Sequence, residues 1–160
     1  MTSRTELDAV DRKILHLLAT DGRASYQAIA DDVGLSRPAV MERVKRLEES
    51  GHITGYGAQI DRAKAGFPVT AFVAVRYGTS DDVRDEPRMR EMEKHPGVLE
   101  CHHVAGEDCY ILKVAVPDLE RLQELLRQLR GPGKQEMSTR TTIVLGTVFE
   151  KPGFVPVELD

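Results

Sequence analysis

Two stretches of the chain have residue types and spacing suited to chemistry. Between Arg37 and Arg46 four cations, Arg37, Arg43, Lys45 and Arg46, stand against one acid, Glu42, a local charge of +3. A concentrated basic face is what contact with a phosphate backbone requires, whatever the charge of the whole chain. The second stretch gathers Cys101, His102 and His103, followed by Gly106-Glu107-Asp108-Cys109-Tyr110. These thiols, imidazoles and carboxylates invite a metal or a polar ligand. Adjacent strand residues point to opposite faces, so at most Cys101 and His103 lie together, with Cys109 on the next strand. Three such groups without paired spacing do not make a zinc pattern, and no metal is expected. Gly131-Pro132-Gly133-Lys134 lacks the glycine-to-lysine spacing of a phosphate loop and reads as a helix stop. No serine or cysteine sits in a recognisable nucleophile context, so an enzyme is not expected.

The bulk composition sets the frame. Hydrophobic residues make up 41% of the 160 residues and charged residues 30%, an ordinary balance for a folded chain that excludes wholesale disorder. No apolar run approaches the ~20 residues of a membrane helix, and Met1-Thr2-Ser3-Arg4 does not begin a signal peptide, so a cytoplasmic protein is expected. The two cysteines, Cys101 and Cys109, are then reduced thiols rather than a disulfide. The net charge of −4 arises wholly after residue 66; before it, ten cations balance ten acids.

The elements that position the basic stretch are three helices. Leu7, Val10, Ile14, Leu17 and Leu18 recur at helical spacing after the capping residue Asp8, with Asp11 in the first turn and Asp21-Gly22 as the stop. Ser25 caps a shorter helix with Tyr26, Ile29, Ala30 and Val33 on its apolar face, ended by Gly34. Ser36 caps a third, with Pro38 in its first turn, an apolar stripe of Val40, Val44 and Leu47, and Gly51 as the stop. Ala30, Gly34 and Val40 fall where a helix-turn-helix needs a small contact residue, a turn glycine and an apolar anchor. Projection at about 100° per residue puts Pro38, Ala39, Glu42, Lys45 and Arg46 opposite the stripe, flanked by Arg37 and Arg43. The candidate contacts to double-stranded DNA are Ser25, Tyr26, Ser36, Arg37, Pro38, Ala39, Glu42, Arg43 and Arg46. Ser36 and Arg37 suit phosphate at the helix N-terminus, and Arg43 and Arg46 suit phosphate or guanine edges.

Residues 53–60 read as a glycine-rich strand linking two domains. After it come a strand over 69–77, a helix opened by Pro87 and closed by His95-Pro96-Gly97, and strands over 98–104 and 109–116 around a short loop. A helix capped by Asp118 and a strand over 140–150 complete the order. This order, βαββαβ, is the ferredoxin-like unit, with helices on one sheet face and the other left for solvent, ligand or a second copy; dimerisation is the economical answer. The chain is therefore expected to be α+β: a helix-turn-helix domain over 1–52, three-helix and winged, a linker strand over 53–66, a ferredoxin-like domain over 67–150 and a tail over 151–160.

In order and spacing the motifs resemble the Lrp/AsnC family of leucine- and asparagine-responsive, or feast/famine, regulators. They include Leu7-Asp8-x-x-Asp11-x-x-Ile14-Leu15, Asp21-Gly22-Arg23-x-Ser25, Val33-Gly34-Leu35-Ser36, Arg43-Val44-x-Arg46-Leu47-Glu48 and His95-Pro96-x-Val98-x-Glu100-Cys101-His102. The resemblance implies a transcription regulator whose dimers stack into tetramers, octamers or larger rings and hold an amino-acid effector between them. It places that effector at the hairpin loop, Ala105, Gly106, Glu107, Asp108, Cys109 and Tyr110, with Ser138, Thr139 and Thr141 nearby. No other cofactor is implied. The leucine-responsive pattern reads Gly-x-aromatic-Asp-aromatic, whereas Asp108 stands here in the aromatic position and Cys109 in the acidic one, so leucine specificity is not carried over. An architectural DNA-wrapping protein without an effector is the alternative reading.

Overall fold

The computed structural model describes residues 6–77, 82–130 and 137–151, with the backbone alone for 82–86. The described residues divide into two compact units, one of residues 6–59 together with 149–151 and one of residues 60–148.

The first unit holds α1 (Ala9–Thr20), α2 (Tyr26–Val33) and α3 (Arg37–Glu49). Each starts where its side chain chemistry dictates. Asp8 accepts from the Asp11 backbone N–H at 2.7 Å while Asp11 accepts from the Asp8 N–H, a reciprocal capping box. Ser25 Oγ accepts from Ala28 N, and Ser36 Oγ from Ala39 N. Gly34 ends α2 at φ +71°, a left-handed position that suits glycine. The core is Ile14 from α1, Ile29 and Ala30 from α2, and Val40, Val44 and Leu47 from α3.

The expected strand over residues 53–60 is absent among the described residues. A strand needs a partner backbone, and here the local alternatives win. Ile53 N donates back to Leu47 O, and the Tyr56 hydroxyl donates to Glu48 at 2.9 Å.

The second unit runs β1 (Val69–Tyr77), α4 (Asp82–Glu91), a 3-10 turn (Met92–Lys94), β2 (Val98–His103), β3 (Tyr110–Val116), α5 (Leu119–Arg130) and β4 (Met137–Ile143). The sheet order is β2-β3-β1-β4 and every pairing is antiparallel, the ferredoxin-like arrangement. One face of β1 and β3, including Val73, Val75, Leu112 and Val114, is buried with Leu122, Leu125 and Leu129 of α5 and with Met89 and Met92.

Two element boundaries differ from the sequence reading. Pro87 lies inside α4 instead of opening it: the helix starts at Asp82 and forgoes the one hydrogen bond that proline cannot donate. β4 spans Met137–Ile143 rather than 140–150 because it pairs with β1 from Tyr77 back to Ala71; past Val144, which donates to Thr70 O, no partner strand remains. The turn Gly131-Pro132-Gly133 and the tail from residue 152 lie outside the described residues.

Candidate DNA interface and effector site

Helix α3 presents Arg37, Pro38, Met41, Glu42 and Lys45 to solvent, with Ala39 half-buried beside them. Ser25 and Tyr26 are exposed at the start of α2. Both serine hydroxyls already accept from their own helices, which leaves their protons for an acceptor such as a phosphate oxygen. Lys45 has only a loose pair with Glu49 at 3.6 Å, and Arg37 has no ion pair among the described residues. These two cations are therefore the ones presented outward.

Arg43 and Arg46 are engaged elsewhere. Arg43 donates to Asp8 at 2.6 Å and to Asp11 at 2.7 Å, and Arg46 donates to both oxygens of Asp11 at 2.9 Å. Asp11 is the one buried charged residue described, 1% exposed, in the first turn of α1. Its two guanidinium partners sit one turn apart on α3, so the cluster fixes the rotation of α3 against α1. The Asp11 N–H and the Arg43 guanidinium hold the Asp8 carboxyl below its ordinary range, and the Asp8 and Asp11 carboxylates push Arg43 further up. In the sequence Asp8 and Asp11 read as caps and Arg43 and Arg46 as DNA contacts. That the same four residues meet has no local signal, because 32 to 35 residues separate the partners.

In the second unit the hairpin loop after β2 turns at Gly106, whose φ of +146° suits glycine. Ala105, Gly106 and Glu107 are exposed and Cys109 is half-buried, its N–H donating to Val75 O. Asp108 reaches across to Arg140 on β4 at 2.8 Å, so loop and last strand do come together. Ser138 shares the open sheet face with Arg140. Thr139 and Thr141 pair with Val75 and Val73 and lie on the helix side, where Thr139 accepts from Arg130 at 3.0 Å. Tyr110 is buried and stacks on His103 with ring centroids 4.9 Å apart. The expected effector residues thus divide between the two sheet faces.

A second concavity lies on the helix side of β2, between that strand and the end of α4. It measures about 420 Å³ and is lined by Met89, Glu93, Val98, Cys101, His103 and Tyr110 among others. Nothing in the spacing of these residues marks them as neighbours. Cys101 opens to it, and burial pushes its thiol up. On the opposite face Glu100 takes His102 at 3.1 Å and Lys113 at 3.5 Å, and these hold its carboxyl below the usual range. Among the described residues no group of three metal ligands converges.

A helix-turn-helix with an outward cationic helix, joined to a ferredoxin-like unit, defines a DNA-binding regulator with a separate regulatory domain. Residues 7–48 match the AsnC-type helix-turn-helix domain, and residues 70–154 the Lrp/AsnC ligand binding domain. The chain is 37% identical over 151 residues to the HTH-type transcriptional regulator LrpA of Mycobacterium tuberculosis, covering 94% of this chain and 97% of that one. Its fold superposes with a TM-score of 0.84 on a feast or famine regulatory protein from M. tuberculosis in complex with L-methionine, at 36% identity, covering 94% of this chain and all of that one. It superposes with a TM-score of 0.80 on a transcriptional regulator of Neisseria meningitidis in complex with L-methionine, at 26% identity, covering 91% and 94% of the two chains. The chain belongs to the Lrp/AsnC family of transcriptional regulators and carries both of its domains.

Proposed function

We propose that the chain is a cytoplasmic, amino-acid-responsive regulator, not an enzyme, that binds specific duplex DNA as a homodimer assembling into tetramers or larger rings. The observation that carries the reading is the union, in one chain, of an outward cationic recognition helix and a ligand-binding domain, two of whose structural relatives are in complex with L-methionine.

On DNA, α3 enters the major groove. Arg37, Pro38, Ala39 and Glu42 face the bases and backbone, while Ser25, Tyr26 and Ser36 contact phosphate. Arg43 and Arg46 act chiefly by holding α3 in place, and the half-exposed Arg46 also reaches the backbone. The homodimer forms through the open sheet face, where Phe72 is 42% exposed beside Ala74, Ile111 and Ala115. Further along, Leu145, Val148 and Phe149 are exposed and supply apolar surface for larger assemblies. The effector lies at the hairpin loop, with Ala105, Gly106, Glu107, Asp108, Cys109 and Tyr110, and with Ser138, Thr139 and Thr141 at the start of β4. Binding there changes how dimers associate and so which operator spacings are favoured, a coupling between two sites.

Thermal unfolding in the presence of each of the twenty amino acids tests this reading. A ligand of the folded state must raise the midpoint; at one hundred times its dissociation constant the gain is about 2.7 kcal/mol. A rise for one amino acid or a related group is the expected result. No response to any would favour an architectural protein whose second domain only assembles.

A further inference from the structure

We propose that Met41, on the outward face of α3, reads a thymine methyl group in the major groove and so helps to set which operator sequence is bound. This rests on the proposed docking of α3 in that groove and adds a specificity-determining residue to it.

Met41 takes no part in the core of the first unit. It is 44% exposed, and it stands outside both the buried cluster around Val40 and Val44 and the partly buried side chains packed on that cluster. A single exposed apolar side chain is ordinary on a protein surface; what singles out Met41 is its setting. Arg37, Met41 and Lys45 are spaced four residues apart and so form one line along α3, about 12 Å long, with an exposed cation at each end. Pro38, three residues before Met41 and also exposed, adds apolar surface beside it and has no N–H to offer a base or a phosphate. Glu42 is exposed next in the chain. A carboxylate is repelled by the phosphate backbone, so this part of the helix lies over base edges while the cations reach the strands.

The major groove holds one apolar group among its hydrogen-bonding edges, the C5-methyl of thymine. Met41 is the fifth residue of α3, within the N-terminal part of a recognition helix that meets base edges. The preceding Val40 is fully buried, which fixes the rotation of the helix that turns Met41 outward. An unbranched thioether with three rotatable bonds can then follow a methyl group on the groove floor without moving the helix.

Deoxyuridine, which lacks the methyl group of thymidine, supplies the test. The full-length protein is bound to a duplex selected for affinity from a random library. Each thymine is replaced in turn by deoxyuridine at constant salt, and binding is read by fluorescence anisotropy. At one thymine in each half-site, loss of the methyl is expected to weaken wild-type binding about fourfold, as removal of one buried methyl group should. Met41→Ala should bind thymine and deoxyuridine alike at that position, and Met41→Leu should keep most of the difference; a purely structural role would lower every affinity equally. Deoxyuridine effects that all persist in Met41→Ala, or the absence of any effect in the wild type, overturn the proposal. Lys45→Ala separates it from the docking. If that change weakens binding and flattens its salt dependence, α3 lies in the groove and the methyl contact alone falls; if it does neither, the docking falls as well.

Discussion

Replacing Asp11 by alanine is expected to destabilise the DNA-binding unit by about 2–3 kcal/mol and to lower its thermal midpoint by roughly 10–15 °C. The carboxylate is buried and accepts from Arg43 at 2.7 Å and from Arg46 at 2.9 Å. Its removal leaves Arg46 without its partner and Arg43 with Asp8 alone. A fully buried pair broken on one side costs about 3–5 kcal/mol; the lower figure applies because Arg46 is half-exposed and rehydrates. Asp8→Ala should cost less, about 1 kcal/mol and chiefly the lost N-cap, since half of that side chain already faces solvent. The acid dependence has a definite sign. The folded-state pKa of Asp8 is lowered, so its contribution is complete above the ordinary carboxylate range and is lost as pH falls below it, through the lowered value. Urea melts of the wild type and both variants, at neutral and acid pH, check all of this. Equal stability of Asp11→Ala and wild type would show that the cluster does not hold α3.

Phe72→Asp is expected to convert the proposed homodimer to monomer, raising its dissociation constant about a thousandfold, roughly 4 kcal/mol. Phe72 is 42% exposed in the middle of β1, on the sheet face that no helix covers, between Lys113 and Thr142. In a two-fold assembly through this face each substitution introduces a charge twice, and both are buried without partners. The fold of the single chain should survive, because the position is exposed there. Glu120→Lys, on the solvent side of α5, serves as the control and should leave the dimer intact. Sedimentation velocity reads the difference. Operator affinity should drop in parallel, since two half-sites need two linked copies. A Phe72→Asp protein that still sediments as a dimer would move the interface elsewhere.

How much of this was legible in the sequence depended on distance along the chain. The three helices could be read from caps, glycines and apolar spacing because those signals are local: Asp8, Ser25 and Ser36 each cap the helix that they precede. The βαββαβ order followed from alternation in the same way. Boundaries set by pairing were not legible. β4 ends at Ile143, with one last bond from Val144 N to Thr70 O close to where β1 itself begins, and residues 53–60 pair with no strand among the described residues. The DNA face was half legible. Helical projection separated the outward Arg37 and Lys45 from the buried stripe, but it had no means of seeing that Asp11 draws Arg43 and Arg46 toward α1. The effector side was the least legible. Tyr110 stood in the loop motif, yet its ring is buried and faces a cavity shaped by Met89 of α4 and Glu93 of the 3-10 turn, which the motif does not include.

The most direct test of the central claim is binding of the full-length protein to genomic fragments, selected for affinity, measured by fluorescence anisotropy across a salt series with and without each amino acid. Selected fragments are expected to bind at least a thousandfold more tightly than random duplex, about 4 kcal/mol, with affinity falling steeply as salt rises. An amino acid that raises the thermal midpoint should also shift that affinity or the stoichiometry of the complex. Equal affinity for selected and random DNA, unmoved by any amino acid, would contradict the claim.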